Sequence, residues 1–161
     1  MGTNPYAPPN ARVADPQSIE DAPAIWNPNA AANWSLVFSP AFGAFLHMLN
    51  WRALGEPDKA ATSKGWFAVS LVMLAVYVVV ALALSDSKAA DGATRSMGLA
   101  YLFVWYFSAA RGQAKYVRER FGKAYPRKRW GRPLLLAVLA LVGYVVFAAV
   151  IGFAFGLAGQ A

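Results

Sequence analysis

Residues 66–84 read WFAVSLVMLAVYVVVALAL, nineteen consecutive positions without a charged side chain. Wound as an α-helix at about 1.5 Å per residue, the stretch is about 28 Å long, close to the ~30 Å hydrocarbon core of a bilayer. It predicts a membrane-spanning helix. Downstream, residues 133–158 (PLLLAVLALVGYVVFAAVIGFAFGLA) are uncharged throughout. Pro133 suits a first helical turn, and the surplus length lets the helix tilt, so this is a second predicted span. A third expected span lies in segment 96–125. Its uncharged heart, Met97 to Ala110, is short for a crossing and becomes adequate if Arg111 snorkels to the headgroups. A soluble four-helix protein is the competing reading, and uncharged runs of 19 and 26 residues disfavour it.

A fourth segment, residues 31–54, has the length of a span but contains Asn33, Ser39, Pro40, Gly43 and His47. Ser39-Pro40 reads as a helix N-cap followed by proline at the first helical position, which breaks the segment in its middle. Two readings stay open: a Pro-kinked crossing, or a re-entrant hairpin sheltered by the other helices. The expected fold class is thus an all-α integral membrane protein. It is a small bundle of three transmembrane helices plus one N-proximal crossing or re-entrant helix, with segments at about 31–54, 66–84, 96–125 and 133–158.

Composition agrees with this placement. The 161 residues are 58% hydrophobic and 14% charged, against roughly 45–50% and 25% in soluble domains. With no cysteine there is no disulfide, thiolate metal site, thiol nucleophile or palmitoylation site. Residues 1–30, rich in Pro, Ala and Asn, read as a flexible tail, and residues 31–161 as one membrane domain. The opening has no basic-then-apolar signal pattern, and Tyr6 stands where a myristoylation motif expects Ser or Thr.

Charge gives an orientation. Nine of the fifteen basic residues lie between Arg111 and Arg132, opposed only by Glu119. The positive-inside rule makes that loop cytoplasmic. Arg52, Lys59 and Lys64 then fall on the same side, the balanced 85–95 loop falls outside, and the C-terminus ends outside. Within the basic loop, Ala114, Val117 and Phe121 recur at helical spacing, so the third span is expected to continue as an amphipathic helix ended by Pro126. Lys115, Arg118, Arg127, Lys128, Arg129, Trp130 and Arg132 form the expected surface for anionic lipid headgroups or an acidic partner. A basic footprint alone is weak evidence for nucleic acid, and no nucleic-acid partner is expected.

Offsetting the chain by 67 residues aligns Trp34 with Tyr101, Leu54-Gly55 with Phe121-Gly122, and Tyr77-Val78-Val79 with Tyr144-Val145-Val146. A tandem two-helix repeat, residues 34–84 and 101–151, would follow, with both units in one orientation.

The candidate polar site is Ser39, His47, Asn50 and Arg52. A membrane-embedded histidine suits a proton relay or haem ligation, but His47 has no second histidine with which to pair. The bland reading is an interfacial side chain bonded to a neighbour. No acidic residue falls within a span, and HExxH, GxSxG and nucleotide-loop motifs are missing. The expectation is no enzyme, no catalytic residues, no metal and no cofactor. Gly143, Gly152 and Gly156 offer a small-residue face for helix packing.

The run Trp26-Asn27-Pro28-Asn29 through Asn33-Trp34-Ser35-Leu36 and Ser39-Pro40-Ala41-Phe42-Gly43 to Asn50-Trp51-Arg52-Ala53-Leu54-Gly55 resembles a stretch in small uncharacterised multi-pass bacterial inner-membrane proteins. The resemblance implies a bacterial inner membrane and no activity. The expected function is noncatalytic: an accessory, scaffold or immunity-type protein of another membrane protein, or a homo-oligomer. The alternative is a small oligomeric transporter or channel using the broken helix around Ser39–Gly43.

Overall fold

The structure, a computed structural model, describes residues 22–83 and 88–158. Among them the regular structure is helical, and residues 22–27 form a short strap ahead of the first helix. Helix α1 (Pro28–Phe38) begins where Asn27 Oδ1 accepts the backbone N–H groups of Asn29 and Ala30. It ends at Ser39, whose φ of 125° lies where an L-residue is strained. Pro40 then opens α2 (Pro40–Ala53).

The break reverses the chain, so α1 and α2 form an antiparallel hairpin. Three contacts fix the register: His47 Nε2 meets the Pro28 carbonyl at 3.3 Å, Ala32 packs with Ala44, and Gly43 lies against Ser35. A methyl group on Gly43 would overlap both Ser35 Oγ and the Trp105 ring, so glycine is what lets three helices approach here.

At its far end α2 stops in a Schellman-type turn. Gly55 has φ +73°, and the Glu56 N–H bonds back to the Trp51 carbonyl at 3.0 Å. Helix α3 (Pro57–Ala83) then runs antiparallel to α2, with the Phe45 and Phe67 rings 5.5 Å apart. Counting six residues onward from that contact puts the hairpin tip, Ser39, level with Met73, about halfway along the 66–84 run.

Helix α4 (Lys88–Trp105) continues through a π turn (Tyr106–Ala110) into α5 (Arg111–Phe121) as one rod. It runs antiparallel to α3, held by a 2.8 Å hydrogen bond between Ser70 Oγ and Tyr101 OH. The π turn sets which residues face the hairpin. Trp105 and Gln113 are eight residues apart, which in a regular α-helix turns them about 80° away from each other. One residue absorbed by the π turn brings that to about 20°, so both side chains meet the hairpin. Gly122, at φ +63°, ends α5. Helix α6 (Gly131–Ala158) runs parallel to α3, with Tyr144 OH donating to the Leu74 carbonyl at 3.2 Å and Gly152 beside Leu82.

Two helices are long and apolar enough to cross a membrane, Pro57–Ala83 and Gly131–Leu157. Only 11% and 6% of their most apolar windows are buried within the protein. A soluble core helix would be covered; these present Val72, Val79, Leu139, Val146 and Phe153 outward.

Four expectations need correction. Three spans of equal standing are not found, because the apolar part of the α4–α5 rod is flanked by polar and basic turns. The rod also begins at Lys88, which shortens the expected 85–95 loop, and ends at Phe121, short of the expected 125. The tail does not extend to residue 30: Ile25 is 1% exposed and pairs with the 122–130 loop, so the fold includes at least Ala22 onward. Residues 1–21 lie outside the described residues. The expected tandem repeat is not carried through the helices, although Gly55 and Gly122 both follow a helix with positive φ. In the units 34–84 and 101–151, residues 34–53 fold back at Ser39, while residues 101–121 stay one rod whose π turn begins at Tyr106, the partner of Ser39 in the 67-residue offset.

Candidate functional site

The polar residues converge at the base of the hairpin. Asn50 Nδ2 donates to the Trp26 carbonyl at 2.8 Å and to Gln113 Oε1 at 3.0 Å, while its Oδ1 accepts the Trp26 N–H at 3.0 Å. One amide therefore grips a strap residue as a neighbouring strand would. Gln113 Nε2 donates to the His47 carbonyl at 2.9 Å. The carbonyl of Pro28 only accepts, so the facing Nε2 of His47 carries the ring proton. Asn50 and Gln113 are 0% exposed and His47 1%, so each polar group depends on these bonds.

His47 lies below Trp66, outside the uncharged run, edge-on to Trp105 with ring centroids 5.7 Å apart. Burial pushes its pKa down to about 4, slightly countered by the Pro28 carbonyl, so the ring is neutral at pH 7.

A second set of contacts ties the strap to the basic loop. Ile25 exchanges backbone hydrogen bonds with Pro126 (3.2 Å) and Lys128 (2.9 Å). Trp26 Nε1 donates to the Arg129 carbonyl at 3.1 Å, and Lys128 Nζ lies 4.6 Å from the Trp26 ring centroid. Ala22, Ile25, Val117, Phe121 and Tyr125 close into an apolar cluster beneath. On the α2–α3 turn, Tyr116 OH donates to Glu56 Oε1 at 2.6 Å, and Lys59 lies 3.2 Å from the same carboxylate. Those two contacts, Tyr116 first, hold the Glu56 carboxyl below the usual carboxylate range.

Of the expected polar site, the structure brings His47 and Asn50 together and separates the rest. Arg52 is exposed on the last turn of α2, and Ser39 is at the opposite end of the hairpin. The basic surface is distributed. Lys115, 3.8 Å from Glu119, is exposed, as are Arg118, Arg129 and Arg132; Arg127 lies over Tyr125, and Lys128 and Trp130 are half-buried. Arg118, Lys123 and Arg127 surround a hollow of about 250 Å³ beside the first turn of α1.

Pattern alone singles out neither Trp26 nor Gln113. The available signal for Gln113 is a polar residue on the apolar stripe of α5, between Ala110 and Val117. For Trp26 nothing local distinguishes it, because its role is to offer backbone to Asn50.

A separate cleft of about 450 Å³ lies beside the hairpin tip and the last turns of α1, between α3 and α4. Ser35, Ser39, Ser70, Tyr77, Arg95 and Tyr101 supply its polar lining, and Phe38, Met73, Leu99 and Leu102 much of its apolar wall. Among the described residues no group of three or more His, Asp or Glu side chains is placed to hold a metal ion, and nothing assembles a nucleophile with a base. No family model, curated protein or solved structure matches the chain.

Proposed function

We propose that this chain is a noncatalytic integral membrane protein of the bacterial inner membrane, serving another membrane protein as an accessory, scaffold or immunity-type partner. The supporting observation is how its groups are used. Buried Asn50 and Gln113 bond to each other and to the backbone of Trp26 and His47, while α6 touches the bundle along one narrow seam and turns large apolar side chains outward. Such a protein fixes its own shape and leaves an apolar face for lipid or another helix. The α4–α5 rod is the third crossing, Arg111 snorkelling at its end, and the α1–α2 hairpin dips in and returns on one side. The 111–132 region is cytoplasmic, where its basic residues meet anionic headgroups.

Affinity purification from native membranes in mild detergent tests the reading. A stoichiometric membrane-protein partner supports it. A monomer without partner across detergents counts against it.

The cleft beside Ser39 favours one second reading, a small oligomeric transporter or channel. Against it, Trp105 and Ser35 fill the space around Gly43, between the cleft and the His47 network. Liposome flux unchanged by His47→Ala or Arg52→Ala would remove the polar residues first expected to serve it.

A further inference from the structure

The Ser70–Tyr101 hydrogen bond sets the level of α4 against α3. The two helices run antiparallel, and six residues on from that pair are Val76 on α3 and Arg95 on α4, so Arg95 is about level with the middle of the uncharged 66–84 run. In a bilayer a cation at that depth is far from the headgroups, and it is costly unless an opposite charge meets it. Arg95 is exposed and in no ion pair among the described residues. It lines the 450 Å³ cleft on one stripe of α4 with Leu99 and Leu102. Two further donors line the same cleft. The Tyr77 hydroxyl is buried with no hydrogen-bond partner among the described residues, and the Ser39 hydroxyl caps no backbone group.

Donors are thus gathered halfway along the apolar run with no carboxylate among them. The hairpin from Pro28 to Trp51, residues 96–110, and the runs 66–84 and 133–158 contain no Asp or Glu. A phospholipid phosphate stays at the headgroups, away from this depth. A second copy in parallel sets Arg95 level with Arg95, like charge beside like. What complements the cleft is a carboxylate carried to the bilayer centre on a helix of another protein. A cleft of this size admits a few side chains and not a helix, so the helix lies across the opening, over exposed Leu36, Val37 and Leu99, and its acid reaches in. We infer that Arg95 docks a membrane helix of a partner protein that bears an Asp or Glu near its middle, the carboxylate pairing with the guanidinium where the Tyr77 hydroxyl is a second donor. A helix without the acid leaves the cation uncompensated, so the pairing selects one class of partner over other apolar helices.

The inference deepens the accessory reading proposed above by naming the partner's chemistry, and rests on its membrane placement. Full-length protein is reconstituted into phosphatidylcholine vesicles with a synthetic lysine-flanked Leu/Ala helix of membrane length that carries one central Glu and a fluorescent acceptor. Association is read as energy transfer from the protein's tryptophans. The Glu helix is expected to associate more than about tenfold better than its Gln twin, as for a desolvated charge pair. Arg95→Leu should erase that preference, and Asp91→Asn, which removes the acidic residue nearest in sequence, should leave it. Arg95→Glu should reverse it in favour of a helix with a central Arg, an outcome that a misfolded variant does not give. The pairing is overturned by equal association of the Glu and Gln helices, by a preference that survives Arg95→Leu or is lost in Asp91→Asn, or by self-association of the protein that Arg95→Leu abolishes. Depth separates the two levels. The chain has no cysteine, so Ser96→Cys gives a single thiol beside Arg95. Its labelling by a water-soluble maleimide present on both faces of the vesicles removes the membrane placement of α4, whereas a protected thiol without the helix preference removes only the pairing.

Discussion

At the residue scale, Asn50 has the largest consequence for its size. Its carboxamide is the shared partner of the strap and of α5, so Asn50→Leu strands the Trp26 backbone and Gln113 Oε1 together. Each buried group left unpaired costs about 1–3 kcal/mol. The expected outcome is a loss of several kcal/mol in denaturant titrations in detergent, with faster amide exchange across residues 22–27; an exchange pattern equal to wild type would show that the strap is held otherwise. His47 adds a pH dependence. Its pKa is about 4 in the fold and about 6.5 when solvated, so the stability it protects is complete above pH 6.5. On acidification the opened state takes up the proton first, stability falls between pH 6.5 and 4, and the fall levels off below. Two to three pH units on a fully buried ring correspond to about 3 kcal/mol. His47→Gln should flatten that slope in a pH series of melting curves; an unchanged slope assigns it elsewhere. Ser39, at φ 125°, gives the opposite sign: Ser39→Gly relieves backbone strain and should raise the melting temperature.

At the scale of elements, the α4–α5 rod and the hairpin depend on each other through the π turn. Because that turn absorbs one residue, removing Ala109 lets residues 105–113 wind as regular α-helix and still leaves Trp105 and Gln113 on one face, about 20° apart. Inserting one alanine after Ala109 instead rotates α5 by about 100° and turns Gln113 away from Asn50. The deletion should therefore retain the wild-type tryptophan emission maximum and the insertion should shift it to the red, since Trp26 and Trp105 become wetted. Equal effects from both would show that the π turn sets no register. Gly43→Ala tests the other side of this contact: with Ser35 and Trp105 in the way, overpacking should cost about 1–3 kcal/mol. This part of the fold was poorly legible in the sequence. The break at Ser39-Pro40 has a local cause in cap and proline chemistry, but residues 31–54 suit a crossing and a hairpin equally in length and apolarity. The choice is made by contacts between distant residues, Gly43 with Trp105 and Asn50 with Gln113, to which periodicity is blind. Gln113 left a trace as a polar residue on an apolar stripe; Trp26, recruited through its backbone, left none.

For the whole molecule, the uncharged runs at 66–84 and 133–158 were readable because lipid constrains composition locally, residue by residue, and both became long helices. The hairpin bears on what the sequence left open, the side of the N-terminal strap. Ile25 pairs with the 122–130 loop and Trp26 with Asn50, so the strap leaves the fold beside the basic loop. On the orientation proposed above, with that loop cytoplasmic, the strap lies on the cytoplasmic face as well. On the proposed topology, with α3, α4–α5 and α6 crossing, the end of α6 lies on the side opposite the strap. Reporter fusions before Asn4 and after Ala161 are expected to give opposite signals, the first from the cytoplasm and the second from outside. Signals from the same side would mean an even number of crossings, and so a hairpin that spans or an α4–α5 rod that does not. Replacing Arg127, Lys128, Arg129 and Arg132 by glutamine separates orientation from fold. Charge bias falls while the backbone pairing of Ile25 with residues 126–128 is retained, so any inverted fraction should invert as a unit, with both reporters exchanging signals together.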